Sequence, residues 1–245
     1  MAGRIAVVTG GMGGLGTAIC RTLAGLGATV VAADLGDDSR QEEFLRGFTG
    51  SDVHALPLDV TSFDGCAAFV RTVESRFGAL DILVNGAGIT RDATLRKMAR
   101  EHWDAVLSTN LDGAFNLCRH AVGGMVDRGF GRIVNISSVN GQTGQFGQTN
   151  YAAAKAGLHG LTMSLAREVA RKGVTVNSIS PGYIDTPMVR AMPEEMREGI
   201  VATIPVARMG VPDDIARTVA FLAADDAGYV TGANIPVNGG LYMGF

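Results

Sequence analysis

Two residues four apart, Tyr151 and Lys155, stand in the run Asn150-Tyr-Ala-Ala-Ala-Lys-Ala156. The three alanines favour a helix. Residues i and i+4 share a helix face, so this spacing holds an ammonium near a phenol. A free tyrosine has a pKa of about 10, and a nearby cation favours the phenolate. That moves the group toward proton transfer near neutrality. Thirteen residues upstream, Ser138 ends the apolar run Ile133-Val-Asn-Ile-Ser-Ser138, where its hydroxyl can reach a carbonyl oxygen. The 21 basic residues include only three lysines, at 97, 155 and 172, so Lys155 is no by-product of a lysine-rich composition. A Tyr-x-x-x-Lys pair by itself is commonplace on helices, and its meaning depends on what stands around it.

A second cluster opens the chain. The strand-like run to Thr9 passes into Gly-Gly-Met-Gly-Gly-Leu-Gly16 and then a helical segment. Glycines let a backbone turn sharply and approach a phosphate, and a helix N-terminus offers free N–H donors at its positive end. Strand, glycine loop and helix in that order predict a dinucleotide site at Gly10, Met12, Gly14, Leu15 and Gly16. Asp34 closes the next strand, Thr29-Val-Val-Ala-Ala-Asp34, 24 residues after Gly10. A carboxylate there accepts from both adenosine ribose hydroxyls and repels a 2′-phosphate. Residue 13 is glycine where a basic side chain could have met that phosphate, so NAD(H) is the preferred cofactor. Arg40, further along, leaves NADP(H) open.

Short β-branched runs alternate with helix-like segments throughout. The strand candidates are 4–9, 29–34, 53–57, 80–85, 131–136, 174–180 and 233–237, and several are apolar without alternation, as strands buried on both faces are. Helical segments are expected near 14–27, 39–48, 62–77, 101–129, 150–171 and 212–224. This rhythm predicts an α/β fold, a single-domain doubly wound parallel sheet of about seven strands with helices on both faces. No linker interrupts it, so residues 1–245 are read as one domain. Five of the seven prolines crowd between Pro181 and Pro212 around a short helix-like Glu194–Ala202, and the segment 183–211 is read as a substrate lid beside the crevice at the strand ends.

Composition narrows the class. With 47% hydrophobic residues and 18% charged, the chain is not disordered. The 21 basic residues face 24 acidic ones without a basic block, so nucleic acid is a poor partner. No apolar run approaches the roughly 18 residues of a membrane span. The start, Met1-Ala-Gly-Arg-Ile-Ala-Val-Val-Thr9, leaves no room for a signal peptide. The expectation is a compact cytoplasmic protein. Cys20, Cys66 and Cys118 fit no disulfide or zinc framework, and the four histidines lack the i, i+4 pairing of a helical metal site, so no metal is expected.

Taken together, the motifs resemble those of the short-chain dehydrogenase/reductase family over essentially the whole length. They are Thr9-Gly-x-x-x-Gly-x-Gly16, Asp59-Val60, Val84-Asn-Gly-Ala-Gly88, Asn110, Ser138, Tyr151-x-x-x-Lys155 and Pro181-Gly-Tyr-Ile-Asp-Thr186. The resemblance implies a Rossmann-like fold and a hydride transfer to or from a nicotinamide. It makes Tyr151 the proton donor, Lys155 a ligand of the nicotinamide ribose, and Ser138 a donor to the developing alkoxide. Asn110 would bend its helix and fix a water for proton relay. It places Asp59 and Val60 at the adenine, and Pro181, Gly182, Ile184 and Thr186 beside the nicotinamide. Asn85, Ala87 and Gly88 carry over as cofactor residues; Gly86 stands where the family commonly has asparagine.

Within the family, the densest likeness is to enzymes that reduce acetoacetyl-CoA to (R)-3-hydroxybutyryl-CoA in polyhydroxybutyrate synthesis. It lies in Gly88-Ile-Thr-Arg-Asp92, Arg96-Lys-Met98 and the segment Ser138–Tyr151. Gln145, Gln148 and Phe146 suit a short, polar 3-oxoacyl thioester, with Asp92, Lys97 and Tyr183 completing the substrate set. Arg91, Arg96, Lys97 and Arg100 form a basic cluster for CoA phosphates. The alternative is a 3-oxoacyl-[acyl-carrier-protein] reductase, with a sugar or alcohol dehydrogenase and a non-catalytic dinucleotide sensor behind it. The resemblance also implies a homotetramer paired through the helices 101–129 and 150–171, and the apolar ending Leu241-Tyr-Met-Gly-Phe245 fits burial in a partner.

Overall fold

In the computed structural model, which describes residues 1–190 and 193–244, seven parallel strands form one sheet. The strands are β1 (Ile5–Thr9), β2 (Thr29–Asp34), β3 (Val53–Pro57), β4 (Ile82–Asn85), β5 (Gly131–Ile136), β6 (Val174–Pro181) and β7 (Asn234–Val237), in the order β3-β2-β1-β4-β5-β6-β7. Each is within two residues of its expected bounds. The order reverses between β1 and β4, and such a switch point opens a crevice at the carboxyl ends of the strands. Thr9 pairs with Asn85 and Asn85 with Asn135, so the ends of β1, β4 and β5 stand side by side in register.

Helices cover both faces of the sheet. On one, α3 (Phe63–Phe77), α5 (Gly113–Arg128) and α7 (Thr149–Val169) bury Phe69, Val73, Leu117, Met125 and Ala166 against Val7, Val31, Leu83 and Ile133. On the other, α1 (Gly14–Gly25) and α10 (Pro212–Ala223) bury Ile19, Leu23, Ile215, Val219 and Leu222 against Val8, Val30, Ile82, Val134 and Ile179. Alternate residues of the central strands thus enter two separate apolar layers. That is why those strands read as continuous hydrophobic runs.

One expected helix is three pieces. The segment predicted over 101–129 consists of α4 (Arg100–Leu107), a π turn at Ser108–Asp112, and α5. Asn110 lies at the centre of the π turn, and such one-turn bulges gather at functional sites. Shorter elements were not expected: a 3₁₀ turn at Leu95–Lys97 and α6 (Asn140–Thr143). The proline-rich segment holds α8 (Pro187–Arg190) and α9 (Glu194–Thr203). Its two ends are pinned together, since Gly210 donates to the Tyr183 carbonyl and accepts from the Asp185 amide at 2.9 and 2.8 Å. The proposed lid and the apolar ending include Ala191, Met192 and Phe245, which lie outside the described residues.

Candidate active site

At the end of β1, the glycine loop is packed backbone against backbone. Gly10 has φ +66°, and a side chain there would strike the carbonyl of Gly86; one at Gly11 would sit 2.8 Å from the Cα of Ala32. A Cβ on Gly16 would run into the Gly10 carbonyl. These three glycines let β1 hand over to α1 beside β2 and β4. The start of α1 has no side-chain cap and no acidic residue in its first turn, which leaves its first amides for an anion. Asp34 is braced against the same loop: its Oδ2 accepts from the Met12 amide at 3.1 Å and its Oδ1 from the Leu35 amide at 2.8 Å. Arg40 stands over it, with Nη2 3.8 Å from Oδ2 and Nη1 donating to the Leu35 carbonyl. Loop, free helix amides and carboxylate together fit a dinucleotide.

The end of β4 explains the unexpected Gly86. The Thr9 hydroxyl accepts from the amides of Gly86 and Ala87 at 3.0 and 3.2 Å, and a Cβ at Gly86 would lie 2.8 Å from the Thr9 carbonyl oxygen. A side chain at this position would have to push the two strand ends apart. The Asn85 side chain points into the protein instead of the crevice, donating to Asn135 Oδ1 at 2.8 Å and to Cys118 Sγ at 3.4 Å. Asn135 in turn donates to Thr162 Oγ1 of α7 at 2.9 Å. Asp59 Oδ1 accepts from the amide and hydroxyl of Thr61, and the Val60 carbonyl accepts from Asn116. The Val60 side chain packs on Gly113 at the start of α5.

Asn110, Ser138, Tyr151 and Lys155 come together beyond the ends of β4 and β5. Gly88 marks the meeting point, because a Cβ there would lie 3.5 Å from Asn110 Oδ1 and 3.6 Å from Lys155 Nζ. The Asn110 amide accepts from the Ile89 N–H at 2.8 Å and donates to the Ile89 carbonyl at 3.0 Å. The Ser138 hydroxyl lies near the Tyr151 phenol, and its Oγ accepts from the Asn140 amide at 3.1 Å. Lys155 is buried, with Nζ donating to the Ile136 carbonyl at 2.7 Å and lying 5.6 Å from the centre of the Tyr151 ring.

The electrostatics reverse one expectation. The i, i+4 spacing alone suggests a phenol acidified by its lysine, yet Tyr151 is held above its ordinary pKa. Burial is the main cause and the Asp92 carboxylate adds to it, while the Ser138 hydroxyl pulls the other way. The phenol therefore keeps its proton at neutral pH. Lys155 has its ammonium turned to a main-chain carbonyl, and burial pushes its pKa down to about 8.

The wall beside Tyr151 is built by two loops joined through Gln148. Its amide accepts from Asn140 Nδ2 at 2.9 Å and donates to Asp92 Oδ2 at 2.8 Å. The Ala93 amide donates to the Gly147 carbonyl, and Asn150 Nδ2 reaches the carbonyls of Arg91 and His102. Gln145 and Lys97 are exposed, and Phe146 is 87% exposed at the rim. Pro181 ends β6, and Gly182, Ile184 and Thr186 follow it; Gly182 donates to Val237 and Ile184 bridges to Gly210. A cavity of about 560 Å³ opens elsewhere, in the lid between α9 and residues 207–211, and none of the four converging residues lines it. The sequence reading missed Thr9, Asn140, Asn135 and Thr162 as supports; for Thr9 and Asn135 the only signal is polarity near strand ends that are otherwise apolar, and Asn140 and Thr162 sit in helices with no signal of their own.

A parallel sheet with a glycine loop at its switch point, and a Ser-Tyr-Lys-Asn cluster beyond the neighbouring strand ends, defines a dinucleotide-dependent oxidoreductase. The chain belongs to the short-chain dehydrogenase/reductase family, for which a nicotinamide dinucleotide is the cofactor; a family model described as enoyl-(acyl carrier protein) reductase matches residues 10–242. It is 55% identical to an acetoacetyl-CoA reductase of Allochromatium vinosum, over 98% of this chain and 99% of that one. An acetoacetyl-CoA reductase of Cupriavidus necator is 54% identical over the whole of both chains. A 3-oxoacyl-[acyl-carrier-protein] reductase of Escherichia coli is 45% identical over 98% of each.

The buried Lys155 carries a stability signature. Below pH 8 the folded chain holds a desolvated ammonium; between about 8 and the ordinary lysine value it is neutral while the unfolded chain stays charged, so stability rises with pH there. Lys155→Met is expected to unfold at higher urea than the parent at pH 7, by on the order of 2 kcal/mol. The advantage should shrink toward pH 10. An equal or smaller advantage at pH 7 than at pH 10, in paired urea titrations, contradicts this assignment.

Proposed function

We propose that the chain reduces acetoacetyl-CoA to (R)-3-hydroxybutyryl-CoA, with NADH preferred over NADPH. The observation that carries the reading is the convergence of Tyr151, Ser138, Lys155 and Asn110 beyond the ends of β4 and β5, since carbonyl reduction needs a proton donor and a hydrogen-bond donor at the oxygen. The names of the relatives at 54–55% identity support the substrate. The nicotinamide supplies the hydride when bound. Tyr151 gives its proton to the carbonyl oxygen as negative charge builds on it, and Ser138 donates a hydrogen bond to that oxygen. Lys155 fixes the ribose and supplies positive charge as the phenol loses its proton. Asn110, tied to Ile89, holds the π turn and the relay water.

We assign the cofactor to Gly10, Met12, Gly14, Leu15, Gly16, Asp34, Asp59, Val60, Ala87, Gly88, Pro181, Gly182, Ile184 and Thr186; Asn85 serves the same site from behind, through Asn135. Asp92, Lys97, Gln145, Phe146, Gln148 and Tyr183 are assigned to the thioester. Gln148 is spent on Asn140 and Asp92, so it shapes the wall, while Gln145 and Phe146 face outward to meet the acyl arm. Arg100 is paired with Asp104, which leaves Arg96 and Lys97, exposed on their 3₁₀ turn, for phosphate. We read residues 1–245 as one domain with a lid at 183–211. Among the described residues no helix is long and apolar enough to cross a membrane, which fits the cytoplasmic reading.

Initial rates with acetoacetyl-CoA test this directly. NADH is expected to be oxidised rapidly and NADPH slowly; faster turnover with NADPH overturns the role of Asp34, with Arg40 then the 2′-phosphate ligand. Turnover of carrier-protein thioesters alone would move the substrate to the alternative reading.

Tyr151→Phe is expected to lower kcat by about 100-fold or more with NADH affinity nearly unchanged, because only the transferable proton is lost. Retained turnover in that variant argues against the mechanism.

We also propose a homotetramer, supported by exposed apolar side chains on the paired helices, Phe115 of α5 and Met163 of α7, and by Phe221, Tyr229 and Met243 toward the C-terminus. Light scattering should return the mass of four chains; a monomer refutes it.

A further inference from the structure

One helical turn beyond Lys155, on the face of α7 that carries Tyr151, stands His159. Its Nε2 lies 2.8 Å from Ser137 Oγ and 3.3 Å from Ser180 Oγ. Each of those hydroxyls has one proton, and each has an acceptor other than the imidazole within reach. Ser137 donates to the Lys155 main-chain carbonyl at 2.8 Å, and Ser180 donates to Asn234 Oδ1 at 2.9 Å. Both oxygens can then only accept from the imidazole, so Nε2 carries the hydrogen. Partial burial lowers the pKa of His159, which keeps the ring neutral with its lone pair on Nδ1. The tautomer is thereby set by the strands packed against the helix.

This imidazole completes a pattern. Ile136, the last residue of β5, and the two residues that follow it all meet the same helix face. The Ile136 carbonyl takes the Lys155 ammonium, Ser137 takes His159 and the Lys155 main chain, and Ser138 meets the Tyr151 phenol. Ser137 and Ser180 are buried, and the chain continues through Asn234 into β7. We propose that His159 is a positioning residue for proton transfer: its Nε2–H holds Ser137 against α7 and so sets the contact of Ser138 with Tyr151. The kinetic consequence rests on the reductase reading above; the geometric one does not.

The test compares His159→Leu, which fills the space without a donor, with His159→Gln, whose terminal N–H can reach the place of Nε2. In the full-length protein, His159→Leu is expected to lose about 10- to 100-fold in kcat. Its NADH affinity and its KM should stay within about twofold of the parent, and His159→Gln should recover most of the loss. Ser137→Ala, which removes the acceptor and leaves the imidazole, should reproduce the loss if His159→Leu does not fold. Ionisation of Tyr151, followed by ultraviolet absorbance with the Tyr151→Phe signal subtracted, should move to higher pH in His159→Leu and return in His159→Gln. A kcat within twofold of the parent in both His159→Leu and Ser137→Ala overturns the proposal. So does a glutamine variant no better than leucine. If the parent does not reduce acetoacetyl-CoA, the substrate reading fails alone, and an unmoved Tyr151 ionisation in His159→Leu is then what overturns the positioning role.

Discussion

A lysine ammonium buried between a helix and the end of a strand is costly unless it is hydrogen-bonded, and Lys155 is held by a single main-chain carbonyl, that of Ile136. That bond ties α7 to β5 at the level where β5 ends. Tyr151 lies one turn before Lys155 on the helix, and Ser138 lies two residues past the end of the strand, so the same contact brings phenol and hydroxyl together. The energetic penalty of the buried charge is visible in its lowered pKa. The apolar layers on both faces of the sheet supply the stability that lets such a group persist.

Around this contact the protein uses main-chain groups wherever a side chain could shift. Thr9 caps the amides of Gly86 and Ala87, Asn110 satisfies both main-chain groups of Ile89, and Asn150 bridges two carbonyls of the opposite loop. The buried ladder Asn85–Asn135–Thr162 runs beneath them from β4 through β5 to α7. Polar groups in such places specify one register, because any slip leaves a buried amide without a partner.

Much of this could be read from the residues. The seven strands were legible because buried parallel strands are apolar throughout, and the convergence of Ser138, Tyr151 and Lys155 was legible because they fell near strand and helix ends with diagnostic spacing. The bend at the π turn was legible only through the resemblance, which implied that Asn110 bends its helix; nothing in Ser108–Asp112 itself breaks a helical pattern, and in the fold Asn110 is tied to Ile89. The pKa of Tyr151 was misjudged for a related reason. Spacing places Lys155 on the right face, but only the fold shows its ammonium turned to Ile136 and a carboxylate from residue 92 nearby. His159 escaped notice because a histidine far from other ligands looks solitary in one dimension.

The double bond between Asn110 and Ile89 has a further meaning. One side chain fastens the chain at the point where it leaves β4, and the next stretch, from Thr90 to Met98, forms the outer wall of the crevice. The fastened residue, Ile89, lies upstream of that wall, and in the proposed function Asn110 serves the chemistry while the wall serves recognition. A protein built this way has its reaction and its choice of substrate on separable parts of the chain. The wall can be rewritten by substitution or insertion while Tyr151 and its partners stay where they are, so one reaction can be offered to many substrates without being invented again.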